Sequence, residues 1–393
     1  MKIIDLTQFY SPLSGGVKRY VHEKIGFVNR ADSDDEHVLI IPGARTEVIT
    51  NGRSLVYSIR SPLVSRATQY RALLNLRAID EIIDRERPDT IESSDPYQVG
   101  WRAARAGRQF RIPVIAFYHS HFAQAYLRRP AQRLGEQGAK MAMSVARAYV
   151  RALYNRFEAT LVPSAQLAEV LSEWGVMNTR AMPLGVNEAI FHAGPDSGAT
   201  RLQLGIPPER TLLLYVGRLA AEKNTRTLFD AFALLAKRHP ERFHLLVIGD
   251  GQERGTLEEL KRTTRYVTWM PYCTDADALA LYYRAADLFV HPGVEETFGL
   301  VALESQACGT PVVGIRGTFM DDVILHDQDC WATTNSPAAL ADAIEEISSR
   351  DLASIGAALS TLVSERYAWP RVFERLFSIY REVSAGYRRS AAG

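Results

Sequence analysis

The chain has 393 residues, 47% hydrophobic and 23% charged, enough for roughly two to three domains of about 150 residues. Its formal charge of +1, from 46 basic and 45 acidic residues, excludes a global field for nucleic acid or for an acidic partner. The three cysteines, Cys273, Cys308 and Cys330, are odd in number and lack C-x-x-C spacing. Neither a disulfide framework nor a zinc site is expected, and a reducing cytoplasm fits best.

The N-terminal MKIIDLTQFYSPLSGG breaks on Pro and Gly too early for a signal sequence, and no run approaches 20 apolar residues, so neither export by that route nor a membrane span is expected. Short β-rich runs then alternate with helical ones: KIIDL at Lys2, HVLIIP at His37, RIPVIAFYHS at Arg111, ATLVPS at Ala159. Such alternation predicts parallel sheets covered on both faces. The Pro- and Gly-rich stretch from Met182 to Ala199 interrupts it, and the pattern begins again. TLLLYVG, a helix carrying Leu228, Phe232 and Leu235 on one face, FHLLVIGDG, RYVTWM, DLFVHPG and PVVGI follow. These runs are continuously apolar, as strands buried on both faces should be. The expected fold is α/β, with two doubly wound, Rossmann-like domains.

Ligands of such sheets bind outside the carboxyl ends of the strands, so the loops there carry the chemistry. YVGRLAAEKN places Arg218 directly after a strand and Lys223 five residues on, beside a helix start. Two cations at a helix N-terminus suit a doubly charged anion such as a diphosphate; two solvated loop charges are the plain alternative. In HPGVEETFGLVALESQACGTPVV, Thr297, Phe298, Gly299 and Leu300 are expected to open a helix and present free amides, and Gly299 allows close approach. Glu304 shares a helix face with Leu300 and Val301 and suits a vicinal diol such as a ribose. Glu296, ahead of that helix, suits sugar hydroxyls.

Other signals point elsewhere and are weaker. IGDGQERG has its third Gly one residue late for a dinucleotide fingerprint. Asp275-Ala-Asp277 and Asp327-Gln328-Asp329 read D-x-D, but Asp275 precedes a helix and is a natural N-cap. No His, Asp and Glu cluster has ligand spacing, so no metal is expected. Glu295 and Glu296 are neighbours, and a glycosidase needs carboxyls facing each other. His119, at the carboxyl end of VIAFY, stands out among the histidines, with His121 nearby; His291 reads as structural.

Taken together, these motifs resemble the retaining family-4 glycosyltransferases of GT-B fold. The E-x7-E motif with F-G-L inside it falls on Glu296 and Glu304, G-R-x-x-x-x-K-N on Gly217 to Asn224, and an S-G-G loop on SPLSGGVKRY. The resemblance covers nearly the whole chain. It implies two Rossmann-like domains facing across a cleft: residues 1–182, completed by a C-terminal helix at about 370–393, for the acceptor, and 183–369 for a nucleotide-sugar donor, UDP- or GDP-linked. Carried over by position, Arg218 and Lys223 grip the diphosphate, Glu304 the ribose, Glu296 the sugar, and the Phe298, Gly299 and Leu300 amides phosphate and sugar oxygens. Gly15 and Gly16 form the N-terminal loop facing the phosphates, and His119 is a functional histidine. The chain departs from the pattern at Thr318, Phe319 and Asp322, where the family has paired Gly and Glu, and at Met270 in the donor pocket, where it has Gly. The implied reaction is metal-independent hexosyl transfer to a glycan or lipid-linked acceptor with retention. A non-turnover nucleotide-sugar-binding partner, or a hydrolase or epimerase using the same pocket, is the alternative.

From Tyr126 to Phe157 the basic residues Arg128, Arg129, Arg133, Lys140, Arg147, Arg151 and Arg156 oppose Glu136 alone. Interleaved apolar residues suggest amphipathic helices at an anionic inner membrane surface, or a solvated basic helix.

Overall fold

The structure is a computed structural model that describes residues 1–11, 15–64, 69–119, 121, 135–194 and 198–392. Ser14 of the S-G-G loop and Arg128, Arg129 and Arg133 of the basic stretch lie outside the described residues. The chain divides into two compact units, Met1–Leu184 with Trp369–Gly393, and Gly185–Ala368.

The first unit holds eight strands: β1 (Lys2–Leu6), β2 (Glu36–Gly43), β3 (Glu47–Asn51), β4 (Ser54–Arg60), β5 (Thr90–Ser93), β6 (Val114–Phe117), β7 (Ala159–Val162) and β8 (Thr179–Ala181). They lie in the order β3-β4-β2-β1-β5-β6-β7-β8. The runs Val38–Ile41 and Val114–Phe117 are buried on both faces, which is why their sequences show no alternation. One pairing departs from the expected parallel sheet, since β3 runs antiparallel to β4. Its two-residue turn is Gly52-Arg53, closed by the Asn51–Ser54 pair, with Gly52 at φ 59°, the first central position where a tight hairpin favours Gly.

The helix Trp369–Ala392 belongs to this first unit. Val372, Phe373, Leu376, Phe377, Tyr380 and Val383 recur at helical spacing and are all buried. Phe373 and Phe377 pack on Phe27 of the helix Gly16–Arg30, with ring centroids 5.5 and 5.4 Å apart. Beneath this contact Lys24, fully buried, donates to Asp5 and Glu92 at 3.0 and 3.1 Å and to the Tyr380 hydroxyl at 2.9 Å. A buried ammonium is tolerated because three oxygens replace its water.

The second unit is one parallel sheet of β9 (Thr211–Val216), β10 (Phe243–Ile248), β11 (Val267–Met270), β12 (Leu288–Val290) and β13 (Val312–Val313), in the order β11-β10-β9-β12-β13. Leu228, Phe232 and Leu235 of the helix Thr225–Arg238 are buried as their spacing requires. Asp275 caps the helix Ala276–Ala285, accepting from the Asp277 and Ala278 amides at 3.0 and 3.3 Å. The G-x-G turn after β10 serves a close backbone approach. A Cβ at Gly249 would lie 1.9 Å from the Gly217 carbonyl oxygen, and one at Gly251 would lie 2.4 Å from that of Leu219. The two loops are joined by bonds from the Gly217 amide to the Ile248 carbonyl and from the Leu219 amide to the Asp250 carbonyl, at 3.0 and 3.1 Å.

Candidate active site

In the second unit the chain leaves β9 toward β10 and β11, then returns to the other side of β9 for β12 and β13. The carboxyl ends of β9 and β12 therefore flank the switch point, where doubly wound sheets bind ligands. After β9, Ala221–Lys223 forms one 3-10 turn, and Asn224, left-handed at φ 57°, starts the helix Thr225–Arg238. The Asn224 amide side chain donates to the Pro292 carbonyl at 2.8 Å, tying the loop after β9 to the loop after β12. Lys223 Nζ consequently pairs with Glu296 Oε2, their side chains 29% and 22% exposed. Burial works against the Glu296 charge, but Lys223, His291 and Arg218 together hold its carboxyl below the usual range. Arg218, mostly exposed, pairs with Glu222 at 3.0 Å.

His291 follows β12 and is buried. Burial pushes its pKa down to about 4, with Glu296 opposing and Lys223 assisting, so the imidazole beside the ion pair is neutral at pH 7.

The helix expected from Thr297 begins instead at Leu300 and runs to Ala307, with Gly299 as its N-cap at φ 71°. The left-handed turn moves the helix start, so the first-turn amides are those of Leu300 and Val301, and the Phe298 amide is not among them. The Phe298 side chain is buried, 6.3 Å from Tyr367 between ring centroids. Gly299 is doubly required, because a Cβ there would also lie 2.6 Å from Met320 Sδ. Glu304 is 2% exposed and accepts from the Tyr283 hydroxyl at 3.2 Å. Thr318 and Asp321 form a capping box over the 3-10 turn Phe319–Asp322, so the Thr318 and Met320 amides are consumed within the loop. Met270 ends β11, separated from β9 by β10.

The first sheet has its own switch point, between β1 and β5. After β1, Gly15 at φ 108° caps the helix that Gly16 opens. After β5 come Ser94 and Asp95, and after the adjacent β6 comes His119. The His119 ring stacks on Phe117, centroids 4.1 Å apart, meets Tyr20 edge-on at 4.9 Å, and lies 3.2 Å from Ser94 Oγ through Nε2. Burial first, then Lys24, pushes its pKa down to about 3 against the pull of Asp5. This imidazole is neutral. His121 is buried, with Nδ1 3.1 Å from the Tyr118 hydroxyl and its ring centroid 4.9 Å from that of Trp174. Among the described residues no three or more His, Cys, Asp and Glu side chains converge as metal ligands, and no helix is long and apolar enough to cross a membrane.

These two switch points are what a group-transfer enzyme of two doubly wound sheets would use, and relatives of the chain carry that chemistry. Residues 14–189 match the model of Glycosyltransferase Family 4 and residues 196–354 that of Glycosyl transferases group 1. The chain is 32% identical over 355 residues, 89% of its length and 88% of the relative's, to a GDP-mannose-dependent alpha-(1-6)-phosphatidylinositol dimannoside mannosyltransferase of Mycobacterium tuberculosis. It is 29% identical over 331 residues, 82% and 74% of the two lengths, to a GDP-mannose-dependent alpha-mannosyltransferase of Corynebacterium glutamicum. Among solved structures, sucrose-phosphate synthase of Thermosynechococcus elongatus superimposes with a TM-score of 0.75 at 22% identity, covering 98% of this chain and 99% of that one. Anabaena HepE in complex with UDP and glucose gives 0.70 at 18%, covering 97% and 100%. The chain belongs to glycosyltransferase family 4, with the GT-B fold, and it is a nucleotide-sugar-dependent glycosyltransferase. The binding-partner, hydrolase and epimerase alternatives are not favoured.

Proposed function

We propose that the protein transfers mannose from GDP-mannose to a lipid-linked glycan or polyol acceptor, with retention of configuration and without a metal. GDP-mannose is the donor named for the mycobacterial and corynebacterial relatives, and a lipid-linked acceptor is named for the first. The observation that carries the reading is the Lys223–Glu296 pair at the β9/β12 switch point, with Arg218 on the same loop.

In this reading Arg218 and Lys223 meet the charge growing on the leaving diphosphate, the Leu300 amide and the helix it opens add to that field, Glu304 takes the ribose diol and Glu296 the sugar hydroxyls. Gly15 and Gly16 offer a second helix N-terminus in the first unit. With a pKa of about 3, His119 is a poor general base at neutral pH. It acts as a neutral orienting group, and a diphosphate oxygen takes the acceptor proton on the leaving-group face.

One assay tests these assignments. The protein is incubated with α-linked GDP-mannose and octyl α-D-mannopyranoside, and the linkage is read by NMR with and without EDTA, alongside thermal shifts for GDP- and UDP-sugars. A donor at 100 times its dissociation constant stabilises by about 2.7 kcal/mol. GDP-mannose should stabilise, the product should be α-linked, and EDTA should leave the rate intact. Stabilisation by UDP-sugars alone, a β-linked product, or a strict need for added magnesium or manganese overturns the corresponding assignment.

A further inference from the structure

Asp95 is a carboxylate at the carboxyl end of β5, beside the first sheet's switch point, that the reaction has not yet used. It follows β5 and sits next to Ser94, whose hydroxyl contacts His119. The residue is 2% exposed. Its Oδ1 accepts the Tyr97 amide at 2.7 Å, while its Oδ2 is buried with no hydrogen-bond partner. A buried carboxylate oxygen left unpaired costs several kcal/mol unless a donor arrives from elsewhere. Tyr149 and Tyr154 feel the Asp95 charge, and the Tyr97 ring lies 5.8 Å from Phe9, which follows β1. Tyr97 and Phe9 thus bring aromatic side chains from the loops after β5 and β1, the kind of lining that a sugar or polyol site uses.

We propose that Asp95 receives a hydroxyl of the acceptor through Oδ2, making it the acceptor-orienting carboxylate of the N-terminal unit. The inference rests on the glycosyl-transfer reading above and names the class of ligand at its second switch point: a polyhydroxylated acceptor. Burial pushes the Asp95 carboxyl up to about 7 against the weaker pull of the Tyr97, Gln8 and Gly100 amides. The competing account is that Asp95 only closes the turn into the helix Gln98–Phe110. That role needs Oδ1 and no charge, and asparagine would fill it equally well.

Asp95→Asn separates the two accounts, because it keeps the Tyr97 bond and removes the carboxylate. With octyl α-D-mannopyranoside as acceptor and GDP-mannose as donor, its acceptor KM should rise about tenfold or more, with donor KM and melting temperature unchanged. An unchanged acceptor KM overturns the proposal, and a lowered melting temperature with the same acceptor KM assigns Asp95 to the turn. Wild-type protein that is stabilised by GDP-mannose but does not transfer to the octyl mannoside refutes the acceptor class and this proposal with it. Wild-type protein stabilised by no nucleotide sugar refutes the donor reading itself, a result the thermal shift identifies separately.

Discussion

Lys223 and Glu296 pair with each other, so in the proposed reaction each exchanges its partner as the donor enters. Both are half-buried, which makes the pair more costly to break than an exposed one. The diphosphate would replace Glu296 at Lys223, and sugar hydroxyls would replace Lys223 at Glu296. Once the sugar has left, Glu296 is free to pair again with Lys223 and competes with the bound nucleoside diphosphate. Glu296→Gln removes that competitor. GDP should then bind about threefold to tenfold more tightly, a gain near 1 kcal/mol, while transfer falls by about a hundredfold because the sugar loses its carboxylate. Isothermal titration with GDP checks the first effect, and equal or weaker binding by the variant sinks the exchange. The residue types were legible in the sequence, since E-x7-E and G-R-x-x-x-x-K-N stand out by spacing. Their pairing was not, because it depends on β12 lying beside β9, which no local spacing encodes. Asp95 was less visible still: SSDPY reads as turn chemistry, and only the packing of β1 and β5 leaves its second oxygen alone.

Among the elements, the sequence showed the buried strands and missed where loops turn. EVITNGRSLVYSIR carries the hairpin's turn glycine, Gly52, yet β3 has no buried face to mark it, with Val48 and Ile49 about half exposed. The helix after β12 begins later than expected because Gly299 takes a left-handed φ, a choice glycine permits but does not announce. The helix Gly135–Tyr154 keeps both faces of its sequence pattern. Ala146, Val150, Leu153 and Tyr154 are buried. Met141 and Val145, one turn apart, are 68% and 62% exposed, with Lys140, Arg147 and Arg151 exposed around the same outer surface. Exposed apolar residues flanked by cations suit an anionic bilayer surface. The protein should sediment with vesicles of phosphatidylglycerol and phosphatidylcholine at low salt, and much less with phosphatidylcholine alone. Replacing Met141 and Val145 by serine should weaken the binding about thirtyfold, with each side chain contributing about 1 kcal/mol. Absence of sedimentation at low salt removes the membrane assignment.

For the whole molecule, the two rounds of strand-helix alternation showed two doubly wound sheets, but not how each stores buried charge. Lys24 in KRYVHEKIGF looks like a surface helix residue, and only the arrival of Tyr380 from the far end of the chain explains its burial. The two units differ in their proton accounting. In the second, His244 and His291 have pKa values of about 4, chiefly through burial, and burial lowers His326 as well, so near pH 5 the unfolded segment binds at least roughly two more protons than the folded one. In the first, His119 at about 3 acts in the same direction, but Asp95 at about 7 opposes it, because there the folded state holds the extra proton. Burial also raises Glu92 of the Lys24 cluster, which adds to the opposition. A depressed histidine contributes stability that is present above about pH 6.5 and is lost as the pH falls toward its folded value. His244 and His291 alone should therefore cost the second unit roughly 2–3 kcal/mol per pH unit on acidification through pH 5, while in the first Asp95 and Glu92 offset much of the loss from His119 and the lowered His22. Hydrogen exchange, corrected for intrinsic rates, checks this strand by strand. Protection in β9, β10 and β12 should decline between pH 6.5 and pH 4.5 before that of β1, β5 and β6, and equal decline in both sheets would refute the assignment.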